Sequence, residues 1–222
     1  MFPGKDDLYT MRALVDEGSK QGRRNRLVLF PQVGGRCAMQ KASEVIGRTI
    51  VAREGGVSVG KVKDIVVDEA GRRVLGFLVE EGVFKRARVA PWATVQAIGP
   101  DAVVIASQAS VVKADEAPEI KSVLDKKLVI KGLRLQTTAG KDLGKIDDFR
   151  FDESSGYIVG YELSGGVLAD VFKGKSYLPT PASLELGREV AFVAPEAETT
   201  IVSADDVGEE SSGGPGGSGV PS

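Results

Sequence analysis

Apolar positions along this chain come in short bursts, not in long amphipathic stretches. Residues 49–52, 62–67, 74–79, 88–90, 95–98 and 102–105 are each apolar or alternating. Between them stand turn formers: Asp68-Glu-Ala-Gly71, Glu80-Glu-Gly82 and Gly99-Pro100-Asp101. Short β-branched runs punctuated in this way predict strands, and Pro91 ends the fourth because it has no N–H to donate. No segment keeps a helical period for long; one helical turn is expected over 43–46 and another over 120–124.

The same pattern returns about 84 residues later. Gly60-Lys-Val-Lys-Asp-Ile-Val-Val-Asp-Glu69 aligns without a gap on Gly144-Lys-Ile-Asp-Asp-Phe-Arg-Phe-Asp-Glu153. Val74-Leu-Gly-Phe77 meets Ile158-Val-Gly-Tyr161, and Gly82 meets Gly166. After four inserted residues, Val83-Phe-Lys85 meets Val171-Phe-Lys173 and Pro91 meets Pro179. A period this long is a whole small domain rather than a solenoid unit. Gly76 and Gly160 interrupt the third strand of each unit, where glycine marks a corner or a close backbone approach. Such short strands must curl into barrels to avoid bare edges. The expected fold is therefore all-β, with two small barrels in tandem, each with its own core.

The expected boundaries follow from composition. Residues 39–107 form the first barrel, 108–119 a polar, proline-bearing linker, and 120–195 the second barrel. Residues 1–38 lack a period and read as a disordered leader, or as a start assigned too early with Met39 the true beginning. Residues 196–222 hold six acidic and no basic residues, and from Gly208 the chain is mostly Gly, Ser, Pro and Glu. That stretch reads as a disordered tail.

Composition narrows the chemistry. There is no histidine, so the commonest general base and metal ligand is missing. Cys37 is the only cysteine, which rules out an internal disulfide and fits an intracellular setting. The net charge of −2 comes largely from the tail, so the folded part lacks the basic excess of a nucleic-acid binder. No apolar run is long enough to cross a bilayer as a helix. Gly55-Gly56 and Gly165-Gly166 are not followed by the Lys-Ser/Thr of a phosphate loop. Neither a cofactor nor a metal is expected.

Lys41-Ala-Ser-Glu-Val-Ile-Gly47, Val59-Gly-Lys-Val-Lys-Asp-Ile-Val-Val-Asp68, Arg73-Val-Leu-Gly76 and Val89-Ala-Pro-Trp92 together resemble the PRC-barrel family. Leu143-Gly-Lys-Ile-Asp-Asp-Phe149, Tyr157-Ile-Val-Gly160 and Tyr177-Leu-Pro179 extend the resemblance to the second unit. The family is named for the cytoplasmic domain of the photosynthetic reaction-centre H subunit and is shared with the ribosome-maturation factor. The resemblance implies a non-catalytic binding or adaptor protein of the cytoplasm. A role with RNA or the ribosome, or a reaction-centre-like assembly role, is the alternative. There is no membrane helix ahead of the first barrel as in the former, and no clear extra N-terminal barrel as in the latter.

Candidate residues divide in two. Arg72, Arg73, Phe84, Lys85, Arg86 and Arg88, with Phe172 and Lys173 from the second unit, are the candidate partner surface, for a protein first and for RNA or an anionic membrane otherwise. Gly60, Asp64, Asp68, Gly76, Pro91, Gly144, Asp148, Asp152, Gly160 and Pro179 are read as structural. The aspartates, followed in two cases by Glu69 and Glu153, suit turns and local backbone bonds better than acid–base work. Trp92 reads as packing.

Overall fold

A computed structural model describes residues 38–80, 87–166 and 175–207. The chain opens with β1 (Met39–Lys41) and the single turn α1 (Ala42–Val45). The first sheet then contains β2 (Thr49–Ala52), β3 (Val57–Val67), β4 (Val74–Glu80), β5 (Arg88–Pro91), β6 (Val95–Ile98), β7 (Ala102–Ile105) and β8 (Val112–Lys113). Helix α2 (Pro118–Lys126) leads to β9 (Arg134–Thr137), β10 (Asp142–Asp152), β11 (Ile158–Ser164), β12 (Ser176–Pro179), β13 (Leu184–Leu186), β14 (Val190–Val193) and β15 (Val202–Ser203).

The two sheets have one topology. The first runs β6-β7-β2-β3-β4-β5-β8 and the second β13-β14-β9-β10-β11-β12-β15, strand for strand. One parallel pair recurs in each, β2 with β7 and β9 with β14. The long second strands bend at matching bulges, between Val62 and Asp64 and between Ile146 and Asp148. Gly60 (φ +139°) and Gly144 (φ +112°) precede those bends in a conformation that side chains resist. A Cβ on Gly76 would lie 2.5 Å from the Ala90 carbonyl oxygen, beside Pro91. On Gly160 it would lie 2.3 Å from the Tyr177 ring, and Gly160 pairs with Pro179. Both sheets thereby curl into barrels.

Three parts of the sequence reading are corrected. Each barrel has a seventh strand: β8 lies within the supposed linker, where it pairs with β5, and α2 begins before residue 120. The framework also runs past residue 195, through a 3₁₀ stretch (Pro195–Thr200), β15 and a last turn (Ala204–Val207). Finally, the barrels do not have separate cores. One continuous apolar cluster includes Ile50, Phe77 and Ile105 of the first and Leu135, Phe151 and Tyr161 of the second.

The shared core follows from how the barrels meet. Arg73 and Tyr157, equivalent in the repeat, form an antiparallel bridge. The Val74 N–H bonds the Gly156 carbonyl (2.9 Å) and the Ile158 N–H bonds the Arg72 carbonyl (2.8 Å), so a pseudo-twofold axis passes through the bridge. Trp92 sits between Phe77 and Phe151, its ring centroid 6.0 Å from each. Gly156 lies against it, with room for no Cβ: one would be 2.7 Å from the indole. The Tyr161 hydroxyl donates to the Gly71 carbonyl across the seam.

The leading elements cross over as well. β1 pairs with β10, and the Ser43 N–H of α1 bonds Asp148 Oδ1 at 3.2 Å. Helix α2 lies instead on the first barrel. Pro118 starts it with its ring preset for the first turn. Ile120 and Val123 share a face that packs on Val66, Leu75 and Val89 as a small second cluster. Lys127 ends it in the left-handed region (φ +54°), its N–H on the Leu124 carbonyl. Among the described residues no helix is long and apolar enough to cross a membrane.

Candidate functional site

Of the residues expected at a partner surface, Arg72, Arg73 and Arg88 are among the described ones, and Arg88 stands apart from the other two. Phe84, Lys85, Arg86, Phe172 and Lys173 lie outside the described residues. Arg72 and Arg73 stand at the β3–β4 turn, whereas Arg88 pairs with Val79 at the far end of β4, about 20 Å away at ~3.3 Å per residue. Each is also engaged internally. Arg72 Nη2 donates to the Ala182 carbonyl of the second barrel, Arg73 faces Glu119 at 3.7 Å, and Arg88 Nη2 donates to the Val111 carbonyl at 2.8 Å.

The aspartates are held by backbone. Asp68 Oδ1 accepts the N–H groups of Arg72 (2.6 Å) and Arg73 (3.0 Å). Asp152 Oδ1 accepts from Ser154 and Ser155 through both backbone and hydroxyl. Asp64 and Asp148 sit at the bulges, where each carboxylate accepts the next residue's N–H. Asp64 is exposed, whereas Asp148 is buried and also takes the N–H of Ser43. Glu69 caps the underside of α2 through Ser122 (2.8 Å) and Lys126 (2.5 Å). Hydrogen bonds from these two, Lys126 first, hold its carboxyl below the ordinary range.

The concentration of charge lies elsewhere, on the outer face of the second barrel. Glu162 on β11 is 1 % exposed. Its Oε2 accepts from Lys41 Nζ at 2.7 Å, and its Oε1 from Arg150 Nε and Nη2, both at 3.2 Å. Lys175 Nζ stands 3.8 Å from Glu162 and 3.5 Å from Asp147, which the Ser164 hydroxyl steadies at 2.7 Å. Arg150 also lies over the Tyr177 ring, 5.8 Å from its centroid, and gives Nη1 to the Val207 carbonyl at 3.1 Å. Burial pushes the Glu162 carboxyl up, but bonds and charge from Lys41 and Arg150 outweigh it and hold the group low. Burial pushes the Tyr177 phenol well above its usual range. Among the described residues that hydroxyl has no hydrogen-bond partner.

Sequence reasoning passed over this cluster, although a signal was present. In the repeat register Arg150 replaces Val66, Glu162 replaces Leu78 and Tyr177 replaces Val89. Three polar or aromatic residues at apolar positions of one face mark a face with a different task.

Held ionised by these cations, Glu162 is a poor proton donor near neutral pH. Among the described residues no three acidic or sulfur ligands are grouped to hold a metal. A crevice of about 100 Å³ between the barrels, lined by Ile46, Val67, Leu124 and Phe149, is smaller than ordinary cofactor pockets.

The comparisons bear on the repeat as a whole. The family model for the PRC-barrel domain matches residues 39–112 and again 130–199. The chain belongs to the PRC-barrel family. Both matches fall on the strand frame, so each barrel is a PRC-barrel domain and the pair meets across the seam described above. No curated protein matches the chain.

Proposed function

We propose that the protein is a non-catalytic contact module of the cytoplasm, in which two fused PRC-barrels present one rigid platform to a protein partner. The observation that carries this reading is the use made of the seam. A pseudo-dyad bridge, a sandwiched Trp92 and crossed leading elements tie two barrels into one body. Such a body holds surfaces from both repeats in a fixed relation, which suits it to recognition by shape and charge. The PRC-barrel family is generally non-catalytic. The carboxylates that could have done acid–base work are bound up in turns and bulges, which fits that class. A lone cysteine suits a reducing compartment.

The test is affinity purification of the tagged full chain from its own cells after mild cross-linking, with quantitative mass spectrometry. One protein recovered at fixed stoichiometry, and insensitive to nuclease, is the expected result. Recovery of the chain alone, or of RNA with ribosomal particles lost on nuclease treatment, would overturn it.

A further inference from the structure

The two repeats leave one stretch of strand edge in different states. On β10 the Asp152 N–H bonds the Tyr157 carbonyl, so Phe151 turns its own N–H and carbonyl away from β11. There β1 meets them: Gln40 pairs with Phe151, and the Glu153 N–H bonds the Ala38 carbonyl. Val67 is the equivalent residue of β3. The Asp68 N–H bonds the Arg73 carbonyl and the Val74 N–H goes to Gly156, so Val67 likewise turns both groups away from β4. On that side β2 pairs with β3 only from Val57 to Lys61, and among the described residues no strand reaches Val67 there. Yet Val67 is only 6 % exposed, and buried main-chain donors and acceptors are normally paired. The crevice of about 100 Å³ lies against this edge, lined by Val66 and Val67 together with Leu124 of α2 and Leu128-Val-Ile130. Residues 128–130 belong to neither helix nor strand, and Val129 is 54 % exposed.

We propose that the bare edge of β3 at Val67 is a docking site for an extended polypeptide segment of a partner protein. The segment enters the crevice with one small apolar residue and bonds Val67 as a single β-bridge. This rests on the contact-module reading and gives it a surface and a partner class. Polypeptide is the occupant because one residue's N–H and carbonyl, turned the same way, match the carbonyl and N–H of one extended residue. β1 makes that match on β10. Size limits the bridge to one residue: about 100 Å³ is the room of roughly three waters at ~30 Å³ each, which a small residue fills and a longer strand overfills. The apolar lining selects an apolar side chain. Charge selects nothing, since Lys127 and Lys131 line the crevice together with Asp64 and Asp148.

The experiment adds the peptide acetyl-Thr-Val-Ala-Val-Thr-amide to the full-length protein and follows backbone amide chemical shifts. A control peptide carries an N-methyl group on its central alanine, which removes the donor for the Val67 carbonyl. Expected are saturable, millimolar binding that changes little with salt, and shifts confined to residues 65–69, 123–124 and 128–130. The control should bind about fivefold more weakly or worse, the worth of one hydrogen bond. Val129→Lys, an exposed change, should keep the melting temperature and weaken binding of the first peptide. Equal binding by the N-methyl control, or shifts at the edges of β6 or β13 in place of Val67, overturns the site. An unmoved Val67 amide up to the peptide's solubility limit also overturns it and leaves the crevice to ordered water only. The same shifts appearing with rising protein concentration, and no peptide, overturn the partner class and give the edge to a second copy of the chain. A protein that recovers a partner from cells yet ignores the peptide loses this surface and keeps the contact-module reading.

Discussion

The outer faces of the two barrels pose one geometrical problem and answer it with opposite chemistry. On the first, Val66, Leu75 and Val89 are buried under Ile120 and Val123 of α2. On the second, Arg150 and Tyr177 hold two of those positions, and Glu162 stands where the first barrel has Leu78. The strand order, the bulges and the close approaches at Gly76 and Gly160 are common to both. The frame therefore does not depend on what its outer face carries. A buried ion cluster is seldom more stable than well-packed apolar residues of like volume. Its presence in one repeat, beside an apolar solution in the other, points to a task other than stability.

That contrast can be broken from either side. The largest effect is expected from Glu162→Leu, which takes the carboxylate from Lys41 and Arg150. Breaking a fully buried pair costs ~3–5 kcal/mol, and the lower end applies here because both cations keep part of their exposure, 27 % and 21 %. Combining it with Arg150→Val and Tyr177→Val, the residue types of the first barrel, should restore much of the loss. Chemical denaturation of single and triple variants measures the coupling, and a triple variant no better than the single would refute the equivalence of the faces. Next comes Ile120→Ala under α2, at about 2–4 kcal/mol for a buried Ile truncation. Because the core is continuous, this variant and Glu162→Leu should each lower one and the same unfolding transition. Two resolved calorimetric peaks would show that the barrels unfold separately.

A smaller effect concerns pH. Glu162 has its carboxyl held below the ordinary value of 4.5, so its contribution is complete above that value. It is lost as pH falls through the lower folded value. Between about pH 7 and about pH 3 the wild type should therefore lose more thermal stability than the triple variant, which has no such group. The smallest change is expected from Lys126→Ala at the exposed Glu69 contact, which should leave the melting temperature unmoved, as most surface ion pairs do.

Much of this architecture was legible because it is written in local signals. Gly60 and Gly144, the aspartates at positions 64 and 148, and the prolines at 91 and 179 recur in one order, each answering to a bend or a strand end in its own neighbourhood. The strands β8 and β15 escaped notice because two residues in a polar setting carry no period. The Glu162 cluster escaped for another reason. Lys41 and Glu162 are 121 residues apart in sequence, and nothing near either one announces that they meet.

Sequence alone thus determined the class of fold, the duplication and the positions of most strands, since periodicity, turn residues and glycines act over a few neighbours. Tertiary structure alone decided that the two barrels share one core, that Arg72 lies at the seam while Arg88 lies at the far end of the sheet, and that a glutamate is buried among cations. Those outcomes depend on which distant surfaces exclude water together, and burial of that kind is a property of the folded body.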